Sequence, residues 1–254
     1  MFSLVVLAAS LLVASALPVR AVGASVVTEH CAHSHEANDD PIVYPGQPGA
    51  SHLHEFAGNP ATDAFATPAS LYARAQTTCR DQPSDFSGYW VPAVYMDGVQ
   101  LRAEQESPYW GDNSLPVVAP PFGMEFVARG WGSNVFFACT IGSKMYNTPP
   151  DCTGRGSLKF RIEFPSCWDG VGTMPSSFAY PSKVGPKGTC PVGFPTRIVQ
   201  LELQVGLPVV NGLGHVFTCA ALPDMPNDYT TMHADFMSAF DPSAMQVIVD
   251  TLNA

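Results

Sequence analysis

Two short segments of this 254-residue chain, His52-Leu53-His54 and His233-Ala234-Asp235, carry the residue types and spacing best suited to chemistry. Side chains at i and i+2 of an extended backbone leave the same face, separated by roughly 6.5 Å along the chain. Each pair can therefore converge on one metal ion or one polar substrate. Neutral imidazoles suit zinc, copper, iron or nickel, and a mixed His/carboxylate set with an open position is the pattern of catalytic metal sites. The candidate ligands are His35, His52, His54, His233 and Asp235, with one transition metal ion, zinc or copper, as the cofactor. The alternative is structural: imidazoles that satisfy loop backbone which a Pro-rich segment cannot satisfy by itself.

A second chemistry needs only carboxylates. Glycoside hydrolysis uses two acids flanking the scissile bond, about 5 Å apart or roughly 6.5–9.5 Å apart according to the stereochemical outcome. Asp39, Asp40, Glu55, Asp169 and Asp235 are the available acids, and the catalytic set is His52, His54, Glu55, Asp169, His233 and Asp235. Asp39 and Asp40 before Pro41, and Asp169 before Gly170, also read as turn formers through side-chain to backbone hydrogen bonds. Trp90, Trp110, Trp131 and Trp168 could stack on sugar rings; Trp168, beside Cys167, is placed at the cleft, and Asp40 with Trp168 forms the candidate ligand-binding pair. His30 and His33 read as solvent-exposed, and His215 as a turn residue.

The first segment sits at the end of Asp39-Asp40-Pro41-Ile42-Val43-Tyr44-Pro45-Gly46-Gln47-Pro48-Gly49-Ala50-Ser51-His52-Leu53-His54, with Cys31, Ser34 and His35 just upstream. Together with Thr77-Thr78-Cys79, Tyr89-Trp90-Val91-Pro92-Ala93, Phe164 to Gly170 and His233 to Phe236, this pattern resembles the domain-of-unknown-function family numbered nineteen ninety-six. The resemblance spans about residues 30 to 250. It implies a secreted protein of a kind found in actinobacteria and fungi, in fungi often beside WSC carbohydrate-binding modules, and it assigns no reaction. It also implies that Cys219 is the odd thiol, because family members often carry a further Cys near the C-terminus and this chain ends without one.

Positioning such pairs requires a fold, and composition bounds it. A hydrophobic fraction of 46% with only 13% charged residues, 24 Pro and 21 Gly favours a loop-rich β protein. The formal charge of −10 excludes a polyanionic partner such as nucleic acid, whose phosphates require clustered Lys and Arg. Phe2 to Leu17 is almost continuously apolar and small residues follow, so residues 1–24 read as a secretory signal peptide and 25–254 as one domain, with no membrane span after cleavage. Seven Cys in an exported chain argue for three disulfides and one free thiol. Spacing leaves connectivity open; Cys139 with Cys152 and Cys167 with Cys190 would link neighbouring strand-like segments, and Cys31 with Cys79 would tether the His-bearing loop.

Leu158 to Phe164 alternates apolar and charged residues, as Val199 to Val205 alternates apolar and polar ones, and both predict half-buried strands. Val135 to Thr140 and Met124 to Ala128 are shorter strand candidates, with turns at Pro149-Pro150, Gly154 to Gly156, Pro186 to Gly188 and Asn211-Gly212. Pro92 predicts an edge strand or a bulge. Asp241-Pro242 opens a helix over Ser243 to Leu252, and a second over Asp63 to Ala75 is split by Pro68. The fold class expected is mainly β, a single antiparallel sandwich or jelly-roll-like domain with a C-terminal helix. Three function classes follow. The first is a secreted, monomeric enzyme acting on extracellular polysaccharide through the His/Asp cluster. The others are a non-catalytic glycan- or metal-binding module and a disulfide-stapled envelope protein.

Overall fold

Alternation decides which side chains of the long strands turn inward. In Leu158–Glu163, residues Leu158, Phe160 and Ile162 are buried while Lys159 and Arg161 are half-buried on the other face. Its antiparallel neighbour Gln200–Leu207 does the same with Leu201, Leu203 and Val205, paired from Leu158↔Leu207 to Glu163↔Glu202. The computed structural model that shows this describes residues 26–103, 105–111, 116–128, 134–142, 144–182, 188–213, 216–218 and 228–254, with 105–110 and 216–218 described by backbone alone. The leader at 1–24, Trp131, His215, Cys219 and most of the Pro186 to Gly188 turn lie outside the described residues.

These two strands form the centre of a six-stranded sheet in the order Val26–Thr28, Gln105–Gly111, Gln200–Leu207, Leu158–Glu163, Val135–Cys139, Met145–Tyr146. A five-stranded antiparallel sheet runs His33–Ala37, His54–Gly58, Gly88–Pro92, Ala234–Met237, Glu125–Ala128. One of its central strands therefore comes from the far end of the chain. Two three-stranded sheets complete the described strands. The protein is mainly β, 35% strand against 13% helix, as its composition and alternating segments predicted, with antiparallel sheets and the C-terminal helix expected from the Asp241-Pro242 start. Both main sheets contribute to one apolar core: Phe126 stacks on Phe164 at 5.5 Å, and Phe164 lies 6.4 Å from Phe236.

The five-stranded sheet departs from simple alternation, because every residue of His54–Gly58, Gly88–Pro92 and Ala234–Met237 is buried. Its inner face joins the main core; its outer face carries a second apolar cluster of Phe56, Ala66, Leu71, Trp90, Met237 and Ala239. The helix Pro68–Arg74 supplies Leu71 to this cluster. Pro68 starts that helix rather than splitting a longer one: Thr67 caps it, accepting from Ser70 N at 3.1 Å while the Ser70 hydroxyl accepts from Thr67 N at 2.9 Å. Pro92 is also placed differently from expectation. Its strand is central, and Pro92 is the last residue, where pairing with Ala234–Met237 has already ended at Trp90. The missing N–H therefore costs no ladder bond, and past Ala93 the chain enters a different sheet as Val94–Met96.

The C-terminal helix Pro242–Asn253 begins as predicted, with Asp241 accepting from Ser243 N and Ala244 N and with Met245, Ile248, Val249 and Leu252 buried. Disulfides join Cys31 to Cys79, Cys139 to Cys152 and Cys167 to Cys190. No helix among the described residues is long and apolar enough to cross a membrane.

Candidate functional site

The site is built on the outer face of the five-stranded sheet. Cross-strand register lays His35, Phe56, Trp90, Asp235 and Val127 in one row across five strands, with His54 opposite Pro92 two residues further along. His52 precedes its strand by two residues and His233 precedes Ala234–Met237 by one, so the i, i+2 spacing turns both pairs to the same side.

The Pro-rich approach to His52 is fixed by its own carboxylates. The two oxygens of Asp39 accept from Gly49 N and Ala64 N, and Asp40 Oδ1 accepts from Ile42 N and Val43 N. Gly46 and Gly49 take φ of 72° and 76°, the left-handed region that lets the loop turn twice within four residues. Ser51 N then donates to Asn38 O, and Ala93 N to Leu53 O, which delivers His54 in register.

His52, His54 and His233 converge, with ligand-competent atoms all within 4.8 Å of one another. The His52 ring lies 4.2 Å from that of His54 and 5.0 Å from that of His233. His54 Nδ1 lies 2.9 Å from Asp39 O, and His233 Nδ1 lies 2.8 Å from Thr231 O. A carbonyl oxygen only accepts, so both Nδ1 atoms carry a proton, and in the neutral imidazole that leaves the Nε2 atom to present its lone pair. Those two Nε2 atoms face each other at 3.4 Å. Burial first, then the neighbouring His52 and His233, push the His54 imidazole well below its ordinary range, so it is neutral at pH 7.

Two lone pairs aimed at each other repel unless a cation lies between them. Tetrahedral zinc with Zn–N of about 2.0–2.1 Å places its ligand nitrogens about 3.3 Å apart, close to the 3.4 Å observed. The donation of each Nδ1–H to a backbone carbonyl is the arrangement that fixes metal-binding imidazoles in orientation and tautomer. Asp235 Oδ2 lies 3.6 Å from His233 Nε2. Asp40, His54 and Asp235 form a second group, also within 4.8 Å, which places two buried carboxylates beside the three imidazoles.

The other sequence candidates lie elsewhere. His35 has both ring nitrogens engaged, with Ser34 Oγ at 2.5 Å and Thr62 O at 2.9 Å, and stacks on Phe56 at 4.6 Å. Glu55 points to the opposite side of its strand from His54 and accepts from Gln100 Nε2 and Ala103 N. Asp169 accepts from Val171 N and Gly172 N, which hold its carboxyl below the usual range, and Trp168 donates to Gly172 O at 2.7 Å within a separate three-stranded sheet. His30 pairs with Asp81 at 2.5 Å, and His33 lies 3.8 Å from Glu36; both are partly buried rather than free in solvent. A further acid–thiol group, Glu29 with Cys31 and Cys79, is closed to metals because both sulfurs are in a disulfide.

Sequence reasoning missed the carbonyls of Asp39 and Thr231 as imidazole anchors, and Trp90 as a wall of the site. Backbone acceptors leave no residue-type signal. Trp90 stands in a continuously buried strand, where periodicity does not separate the two faces. A family model described as domain of unknown function (DUF1996) matches residues 40–240. No curated protein and no solved structure matches the chain.

Proposed function

We propose a zinc-dependent role for this chain, which belongs to the DUF1996 family and so has a kinship without an assigned reaction. His52, His54 and His233 are the ligands, and the observation that carries the reading is the pair of Nε2 lone pairs facing each other at 3.4 Å, each fixed by its Nδ1–H. Three imidazoles leave a fourth position open, the arrangement of catalytic rather than structural zinc. Bound there, the ion supplies Lewis acidity. Asp235 and Asp40 then stand beside it as proton acceptors, and an exported hydrolase acting on extracellular polysaccharide is the activity that this set suits best. Three disulfides support the exported location.

A second reading rests on burial. His54 and Asp235 are almost fully enclosed and His52 alone of the three imidazoles is only half-buried, which suits a centre that holds its ion without turning over substrate. Metal analysis of the purified exported protein separates these readings from a purely structural role. The expected result is about one equivalent of zinc per chain, removed by the paired substitution His52→Ala and His54→Ala with the far-ultraviolet spectrum unchanged. A panel of cell-wall and plant-type polysaccharides then decides between turnover and binding. Protein that carries no transition metal, and takes none up from micromolar zinc, overturns the proposal.

A further inference from the structure

The indole of Trp90 is the group on the site face that the imidazole geometry does not explain. Its side chain is fully buried, and Nε1 has no hydrogen-bond partner. An N–H removed from water without an acceptor loses its hydration with nothing to replace it, a net cost to the fold. The position is not a loose one: Phe56, directly opposite on the adjacent strand, stacks on the indole at 5.7 Å and 28°. Direct register on the other side puts Asp235 opposite Trp90. Directly opposite residues on a shared face have Cβ atoms about 4.5–5.5 Å apart, within reach of a carboxylate and an indole nitrogen. Asp235 is buried and has two oxygens, one of which lies 3.6 Å from His233 Nε2.

We infer that Trp90 is a positioning residue of the zinc centre: its indole N–H donates to the Asp235 carboxylate and sets that carboxylate's orientation beside His233 in the metal-loaded protein. This rests on the zinc reading above. The chain of contact runs from Phe56, which fixes the ring plane, through the indole to Asp235 and on to the ligand His233. The row of side chains across the sheet thus acts as a single support, in which removing the N–H loosens Asp235 without touching any ligand. Such outer supports typically change metal affinity by about 10–100-fold when removed.

The test replaces Trp90 with benzothienylalanine, which keeps the ring shape and its stacking on Phe56 and exchanges N–H for sulfur. Zinc affinity, measured by chelator competition, is expected to fall about tenfold, and the visible spectrum of the cobalt-loaded protein to change. A purely packing role moves neither. Trp90→Phe should change the cobalt spectrum in the same way, and Asp235→Asn added to the benzothienyl variant should give no further loss of affinity. A benzothienyl variant with wild-type affinity and an unchanged cobalt spectrum overturns the role of Trp90 and leaves the zinc centre standing. Wild-type protein that binds neither zinc nor cobalt overturns both.

Discussion

Two polar clusters lie on sheets of this molecule, one half-buried and one mostly buried, and they are put together in opposite ways. On the six-stranded sheet, Lys159 donates to Gln204 at 2.9 Å, Arg161 pairs with Glu202 through both carboxylate oxygens, and Gln204 donates to Glu202. Among these four residues donor meets acceptor, and these hydrogen bonds are made to one another. On the five-stranded sheet, three imidazoles bring ligand-competent nitrogens within 4.8 Å of one another, while the Nδ1–H groups of two of them, His54 and His233, are spent on backbone carbonyls. A cluster that satisfies itself is a structural feature, whereas one whose members face like to like is completed only by something else. That difference, more than the identity of the residues, separates support from site.

The sharpest break in the comparison comes from the staples. The loop between Cys31 and Cys79 spans 48 residues and braces the His-bearing sheet, while that between Cys139 and Cys152 spans 13 and braces the other. Chain-entropy reasoning gives losses of about 4 and 3 kcal/mol on replacing each pair by Ser. Denaturant titration is expected to rank them in that order. Zinc binding should weaken only for the Cys31/Cys79 variant, and equal weakening for both would remove the distinction between the sheets.

Acid and base come next. Glu163 faces Glu202 across the six-stranded sheet, and burial, followed by that neighbouring charge, pushes its carboxyl up to about 7; burial pushes Glu29 up to about 7 as well. A carboxyl whose pKa is higher folded than unfolded binds its proton more tightly in the native state. Its stabilising contribution is present below about pH 4.5 and is lost as pH rises through 7. Wild-type stability should therefore fall between pH 5 and 8 by about 2–3 kcal/mol for each group. Glu163→Gln should flatten its share of that slope, as followed by urea denaturation at each pH; an unchanged slope means Glu163 is not protonated in the fold.

Smaller effects sharpen the contrast further. Arg161→Ala leaves Glu202 and Glu163 opposed without the guanidinium that pairs with Glu202 and should cost about 2 kcal/mol at pH 8, less at pH 5 where Glu163 is protonated. His52→Ala in metal-free protein removes one of three mutually facing imidazoles and should cost under about 1 kcal/mol. If His52→Ala proves the more damaging by thermal melting, the His cluster is the structural one. Smallest is Thr67→Ala, which removes the cap of the helix that roofs the His-bearing sheet and should cost about 0.5 kcal/mol, with a correspondingly modest rise in hydrogen exchange at Leu71 and Ala75.

What could be read from the chain depended on whether a local rule governed the region. Leu158–Glu163 and Pro242–Asn253 were legible because each has one buried face and one wet one, so period alone assigns their sides. His52, His54, His233 and Asp235 were legible because extended spacing is local, and their meeting in space is a geometric fact of the fold. His35 and Glu55 shared the same motif but not the same face or partners: the first spends both ring nitrogens nearby, and the second sits one residue out of phase with His54. The Pro68 helix start was obscured because Thr67 and Ser70 form a reciprocal cap without the acidic or amide residue that usually marks one.

The central place of Ala234–Met237 in the five-stranded sheet has a temporal consequence. His54 and His233 are 179 residues apart, yet their nitrogens meet. Until the last part of the chain has emerged and inserted between Gly88–Pro92 and Glu125–Ala128, the sheet is split and two strand edges stand open. Pairing over such separations is closed late and slowly. On the zinc reading, an ion at this centre would be held only once Ala234–Met237 has joined the sheet, so that its uptake would follow the closing of the sheet rather than guide its beginning.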